Sequence, residues 1–199
     1  MSTSNRRKRS YHHGDLQASI LQAAAQLLEK QGLAALSLRE AARRAGVSHN
    51  APYRHFPDRE ALLAALAAEG FRQFRQELDD AEERGGLRAR GEAYVRFALK
   101  HPQRFRLMFG VGLSFSKHPG LREQASQAFG GLANAIAAHA GQQAPLAAIA
   151  AWALVHGLAQ LLLDGRVGGA ARGERDVDDF VRAVLASIRF AVVPAQSPA

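Results

Sequence analysis

Cysteine is absent from this 199-residue chain, so neither a disulfide framework nor a thiolate metal site can form. The absence suits a reducing compartment, and a cytoplasmic location is the expectation. Strand signals are scarce too. Alternating runs of β-branched residues are missing, while alanine is abundant and most apolar spacings are three or four. That pattern gives an all-α protein of about nine helices, without internal repeats. No secretory leader is expected: the basic run Arg6 to Arg9 is followed by HHGDLQ rather than by an apolar stretch and a cleavage site.

Catalytic constellations are equally thin. A nucleophile elbow needs Gly-x-Ser-x-Gly, and the nearest run is Gly46-Val-Ser48-His-Asn50, which lacks the second glycine. No carboxylate pair or nucleophile–base pair stands at usable spacing. His49 and His55 are six residues apart, about 240° round a helix, and cannot chelate one metal from it. His12 and His13 have no obvious third ligand. The expectation is a non-enzyme without cofactor or metal.

What the chain does have is basic charge, unevenly placed. The formal charge is +8. Residues 1–60 hold ten Lys/Arg against five Asp/Glu, and residues 61–199 hold sixteen against thirteen. A basic N-terminal third beside a nearly balanced remainder points to a polyanionic partner for the first part. Residues 1–13 read as a basic flexible arm, 14–66 as a DNA-binding domain and 67–199 as a second helical domain.

Helix signals organise the rest. Asp15 to about Gln31 places Leu16, Ile20, Ala24, Leu27 and Leu28 on one face, with Gly32 as its stop. Ser37-Leu-Arg-Glu40 is a capping box that opens a short helix ending at Gly46. Ser48 can cap a third helix to about His55. Asp58 caps a long helix to about Glu83, and Gly85-Gly86 breaks it. Further helices are predicted over about 87–100, from Pro102, over 121–140, over 145–164 and over 176–193, with loops at 110–120 and 165–173. The 144–163 run is long enough to span a bilayer, but its alanine content, His156 and Gln160 favour a helix buried on nearly all sides.

The second and third helices, joined by a tight glycine turn, have the shape of a helix-turn-helix. At about 100° per residue, His49, Asn50, Tyr53 and Arg54 share one broad face, with Ala51 and Pro52 outside it. Asparagine can pair bidentately with adenine and arginine with guanine. Pro52 removes the helix hydrogen bond to the Ser48 carbonyl, which predicts a tight or 3₁₀-like first turn.

The stretch SLREAARRAGVSHNAPYRHFPDREALLAAL resembles the tetracycline-repressor family of transcription regulators, a many-position match over about residues 15–66. The resemblance implies a homodimer with a third helix of each protomer in successive major grooves of a palindromic operator. By position it implies base contacts from His49, Asn50 and Tyr53, with Arg39 a further candidate. It implies phosphate contacts from Ser37, Ser48, His55 and Arg59, and flanking contacts from Arg6, Arg7, Lys8 and Arg9. Many family members carry leucine or isoleucine where this chain has Pro52.

In the second half, Trp152, His156 and Gly157 with HPQRFRLMFG upstream resemble the family's Trp-His-Gly subgroup, implying an effector-binding and dimerising domain. Phe105, Met108, Phe109, Phe129, Trp152 and His156 are the candidate pocket residues. They could equally be core, and His156 could be a core histidine bonded to a carbonyl. The last two helices carry more apolar face than one chain covers, which predicts a four-helix dimer interface. The reading is a ligand-responsive repressor released by a small apolar effector. The alternatives are an architectural DNA binder without effector, or an enzyme using the C-terminal cavity.

Overall fold

The computed structural model describes residues 13–110, 112–140 and 144–187. Among these every regular element is helical. The chain divides between Leu66 and Ala67 into two compact units.

In the first unit, α1 (His13–Gln31) buries the predicted stripe: Ile20, Ala24 and Leu27 are wholly inaccessible. It stops where Gly32 takes φ 76°. A 3₁₀ turn at Leu33–Ala35, not foreseen from the sequence, leads into α2 (Leu38–Ala45). The Ser37 hydroxyl accepts the Glu40 amide at 3.1 Å, a cap of the kind that is worth about 1 kcal/mol. Only half of the predicted box forms, because the Glu40 carboxylate turns to the Arg43 guanidinium at 2.7 and 2.5 Å. Gly46 ends α2 in the left-handed region at φ 69°, where a side chain would be strained.

The third helix is not an α-helix. Its regular part is a 3₁₀ turn at Ala51–Arg54. Pro52 cannot donate to the Ser48 carbonyl, so Ala51 donates to it instead at 3.0 Å, and the ladder closes one residue tighter. The expected Ser48 side-chain cap gives way to this backbone bond, and Asn50 occupies the capping position without a side-chain bond. Phe56 then anchors the turn in the core.

Helix α3 (Arg59–Lys100) starts at Asp58, whose carboxylate accepts the Ala61 amide at 2.8 Å. It is helical throughout except at Gly85 (φ −151°, ψ 17°) and Gly86 (φ 67°, ψ −164°). A straight helix would hold Phe74 and Tyr94 about 30 Å apart. Their ring centroids are 4.9 Å apart. The glycine pair therefore folds α3 into an antiparallel hairpin, with arms at 59–84 and 87–100.

The remaining helices are α4 (Pro102–Phe109), α5 (Pro119–Ala140), α6 (Ala144–Leu163), α7 (Gly169–Arg172) and α8 (Val177–Ser187). The short α7 lies inside the segment expected to be a loop. The Asp176 carboxylate caps α8 by accepting the Asp179 amide at 2.7 Å. The expected continuation of the last helix to residue 193 lies outside the described residues.

Helix α6 departs most from expectation. By length and composition it could cross a membrane, with a mean hydropathy of 1.9. It is not buried on nearly all sides. Ala148, Ala151, Val155, Leu158 and Ala159 are buried, and the first two pack against Ile136 of α5. Leu146 (72 %), Ile149 (53 %) and Leu161 (50 %) are exposed. Periodicity could not separate a helix covered on all sides by its own chain from one left half open.

Candidate nucleic-acid interface and effector cavity

In the first unit, α2 and the 3₁₀ turn place the polar side chains of the predicted face outward. Arg39, Ser48, His49, Asn50, Tyr53 and Arg54 are exposed, whereas Pro52 is among the most completely buried side chains. The 100° projection does not apply to a 3₁₀ turn, yet the partition holds. The proline ring anchors the turn inside, and its polar neighbours are left to solvent.

Two of the expected phosphate contacts are also put to local use, and a third has a ring nitrogen buried. The Ser37 hydroxyl accepts in its cap, a bond that does not use its own proton. Arg59 donates through Nε to the Leu36 carbonyl at 2.7 Å and through Nη2 to the Leu33 carbonyl at 2.6 Å. It thus ties the start of α3 to the α1–α2 connection and keeps its other N–H groups, on Nη1 and Nη2, for an outside group. The Nε2 of His55 is buried and pairs with no described group, so it is not presented at the surface. Arg6, Arg7, Lys8 and Arg9 lie outside the described residues.

The second unit encloses a cavity of about 750 Å³, within the range of small-molecule sites. Its wall is mainly apolar and includes the aromatic rings of Phe71, Phe74, Tyr94, Phe109, Phe115, Phe129 and Trp152. Met108, Phe109, Phe129, Trp152 and His156, all candidates from sequence, line it. Phe105 does not. It is 1 % exposed and stacks on the His156 ring at 5.4 Å from behind.

Sequence reasoning missed the contribution of α3. Phe71, Phe74, Tyr94 and Arg90 reach the cavity because the Gly85–Gly86 fold-back brings the two arms together. Two amphipathic helices separated by a glycine pair were the signal available.

The polar part of the wall is a short chain of hydrogen bonds. The Trp152 indole Nε1 donates to Tyr94 Oη at 3.1 Å, and Tyr94 Oη lies 2.8 Å from His156 Nδ1. Indole can only donate, so the tyrosine oxygen accepts there. If Nδ1–H also donated to it, the buried hydroxyl proton would have no acceptor, which costs about 1–3 kcal/mol. We therefore assign the tyrosine as donor to Nδ1, which leaves the imidazole proton on Nε2. Burial pushes the His156 pKa below the usual histidine value, and burial pushes the Tyr94 hydroxyl well up. Both are neutral at pH 7. His156 is thus hydrogen-bonded to a hydroxyl, not to the carbonyl that a core histidine usually finds.

Arg90 is the one buried charged side chain in the described core, at 2 % exposure. Its Nη1 meets Asp79 at 2.8 Å and Glu82 at 2.6 Å across the hairpin. Its guanidinium fits because α5 has glycine opposite: a Cβ on Gly131 would sit 2.6 Å from Nη2. Among the described residues no cluster of His, Asp and Glu could hold a metal ion.

Comparison with known proteins now bears on both units. Residues 20–66 match the model for bacterial regulatory proteins of the tetR family. Residues 87–188 match the tetracyclin repressor-like C-terminal domain. The chain belongs to the tetracycline-repressor family of transcriptional regulators. A protein of unknown function from Rhodococcus sp. RHA1 is 36 % identical, with TM-score 0.73 over 90 % of this chain and 96 % of that one. A protein described as a regulator, SCO4313, is 26 % identical, with TM-score 0.70 over 90 % and 97 %. A TetR family transcription regulator from Marinobacter aquaeolei VT8 shares the fold at 22 % identity, with TM-score 0.59 over 86 % and 92 %.

Proposed function

We propose that this family member is a cytoplasmic repressor that binds a palindromic operator as a homodimer and leaves it when a small apolar effector fills the cavity of the second unit. The observation that carries the DNA-binding part is the sorting of the third helix, where Pro52 is buried and His49, Asn50, Tyr53 and Arg54 are exposed. His49, Asn50 and Tyr53 are the base readers in this reading, with Arg39 beside them and Arg54 added on its exposure. Ser48 and the remaining N–H groups of Arg59 would take phosphate, and Arg6 to Arg9 would follow the flanking backbone. The effector part rests on the aromatic cavity, and membership of the Trp-His-Gly subgroup rests on Trp152, His156 and Gly157. The dimer part rests on the open apolar face of α6, which with α8 would form a four-helix interface.

Selection of bound DNA from a random pool tests the reading, and a palindromic consensus is the expected result. Asn50→Ala should then change base preference at one position in each half-site, at a cost of about 1–3 kcal/mol. An unchanged preference would remove Asn50 from the readers. A pool that yields no consensus would overturn sequence-specific regulation and favour an architectural role.

A further inference from the structure

We propose that the cavity selects an uncharged, mainly apolar molecule with one acceptor oxygen, received by the Nε2–H of His156, and that it rejects organic cations and anions of the same size. This deepens the effector part of the reading above and rests on it.

Three observations lead there. First, the hydrogen-bond chain Trp152–Tyr94–His156 is directional. It consumes the indole proton, the phenol proton and Nδ1, and it leaves a single donor at Nε2 that no described residue pairs. His156 lines the cavity, and Phe105 and Phe109 hold its ring at 5.4 and 5.0 Å, so the donor is fixed in direction. Tyr94 and Trp152 act as positioning residues, since they set which nitrogen carries the proton.

Second, among the described residues no Asp or Glu lines the cavity. An organic cation would lose its water and gain only ring faces in exchange. Third, the charge of the buried cation in the cavity wall is already balanced, although its Nε and Nη2 pair with no described group. Arg90 faces Asp79 and Glu82, and Arg75 lies 3.6 Å from the other Asp79 oxygen, so two positive and two negative charges balance there. An incoming carboxylate that approached Arg90 would meet two carboxylates close behind it. Arg88, the other cation of the wall, is exposed, and solvent screens an exposed charge.

Trp152 is the only tryptophan in the chain and forms part of the wall, so its fluorescence reports the cavity directly. Nonan-2-one, nonanoate and octyltrimethylammonium have matched apolar lengths and neutral, negative and positive heads. Titrated into the full chain without DNA, the ketone should shift Trp152 emission saturably, at least about tenfold more tightly than either ion. Nonane should bind less tightly than the ketone by about tenfold, the worth of one buried hydrogen bond. His156→Phe should bring ketone and nonane together and leave nonane itself unchanged.

Should that variant not fold, the ¹⁵N shifts of the wild-type imidazole provide the second reading. They should place the proton on Nε2, with the Nε2 resonance moving on ketone addition. Equal or tighter binding of either ion, or a His156→Phe protein that still prefers ketone to nonane, would overturn the proposal. So would a proton found on Nδ1. Because no DNA is present, these failures are separate from failure of the operator selection, which would sink the regulator reading alone.

Discussion

The two units of this chain are specified by different kinds of information. In the first, each turn is decided within a few residues of itself: Gly32 and Gly46 take positive φ, the Ser37 hydroxyl caps α2, and Pro52 tightens the third helix. In the second, the important meetings are remote in sequence. Tyr94 binds His156 across 62 positions, and Phe74 meets Tyr94 and Phe97 only because the chain turns back at Gly85–Gly86. The DNA-binding unit is therefore a product of local stereochemistry. The effector unit depends on side-chain packing across a hairpin.

The largest effect that sharpens this contrast should come from Phe97→Ala. Phe97 is inaccessible and packs edge-on to Phe74 at 5.1 Å. Truncation leaves a cavity in the hairpin and should cost about 3–5 kcal/mol. Urea unfolding followed by Trp152 fluorescence should show the loss in the second unit. If helicity by circular dichroism then falls in two steps, the first unit survives alone. A single shared step would show that the two units depend on each other for stability and would break the contrast.

Next is Gly131→Ala, expected to cost about 1–3 kcal/mol, since the new methyl meets the Arg90 guanidinium at 2.6 Å and that group is held by two carboxylates. In sequence, Gly130-Gly131 reads only as a weak point in a helix, because the cation that needs the space lies on another arm. The same distinction governs what was legible at large. Caps, breaks and the helical character of the chain follow from neighbours along the sequence. The cavity's α3 wall, the displacement of Phe105 behind His156 and the open face of α6 follow from what each helix meets, which periodicity does not encode. Arg59 belongs with these. As a residue type it suits phosphate, yet the nearby carbonyls of Leu33 and Leu36 take two of its donors.

The smallest effect on stability, and the most direct test of local specification, is Pro52→Ala. The substitution removes two buried ring carbons, worth about 1.6 kcal/mol, and frees the unfolded chain by about 0.4–1 kcal/mol. It returns an amide that can donate to the Ser48 carbonyl, worth about 1 kcal/mol. The net loss should be about 1 kcal/mol. With the amide restored, the turn can relax from 3₁₀ to α spacing, which changes the rotation per residue from about 120° to about 100°. Across His49, Asn50 and Tyr53 that difference re-aims each proposed reader relative to the next. DNA selected by the variant should therefore differ in consensus from DNA selected by the parent, while the salt dependence of binding, set by phosphate contacts, stays the same. An identical consensus would mean that the proline only fills the core. A changed consensus at a cost of about 1 kcal/mol would mean that one missing N–H group sets how this protein addresses the groove.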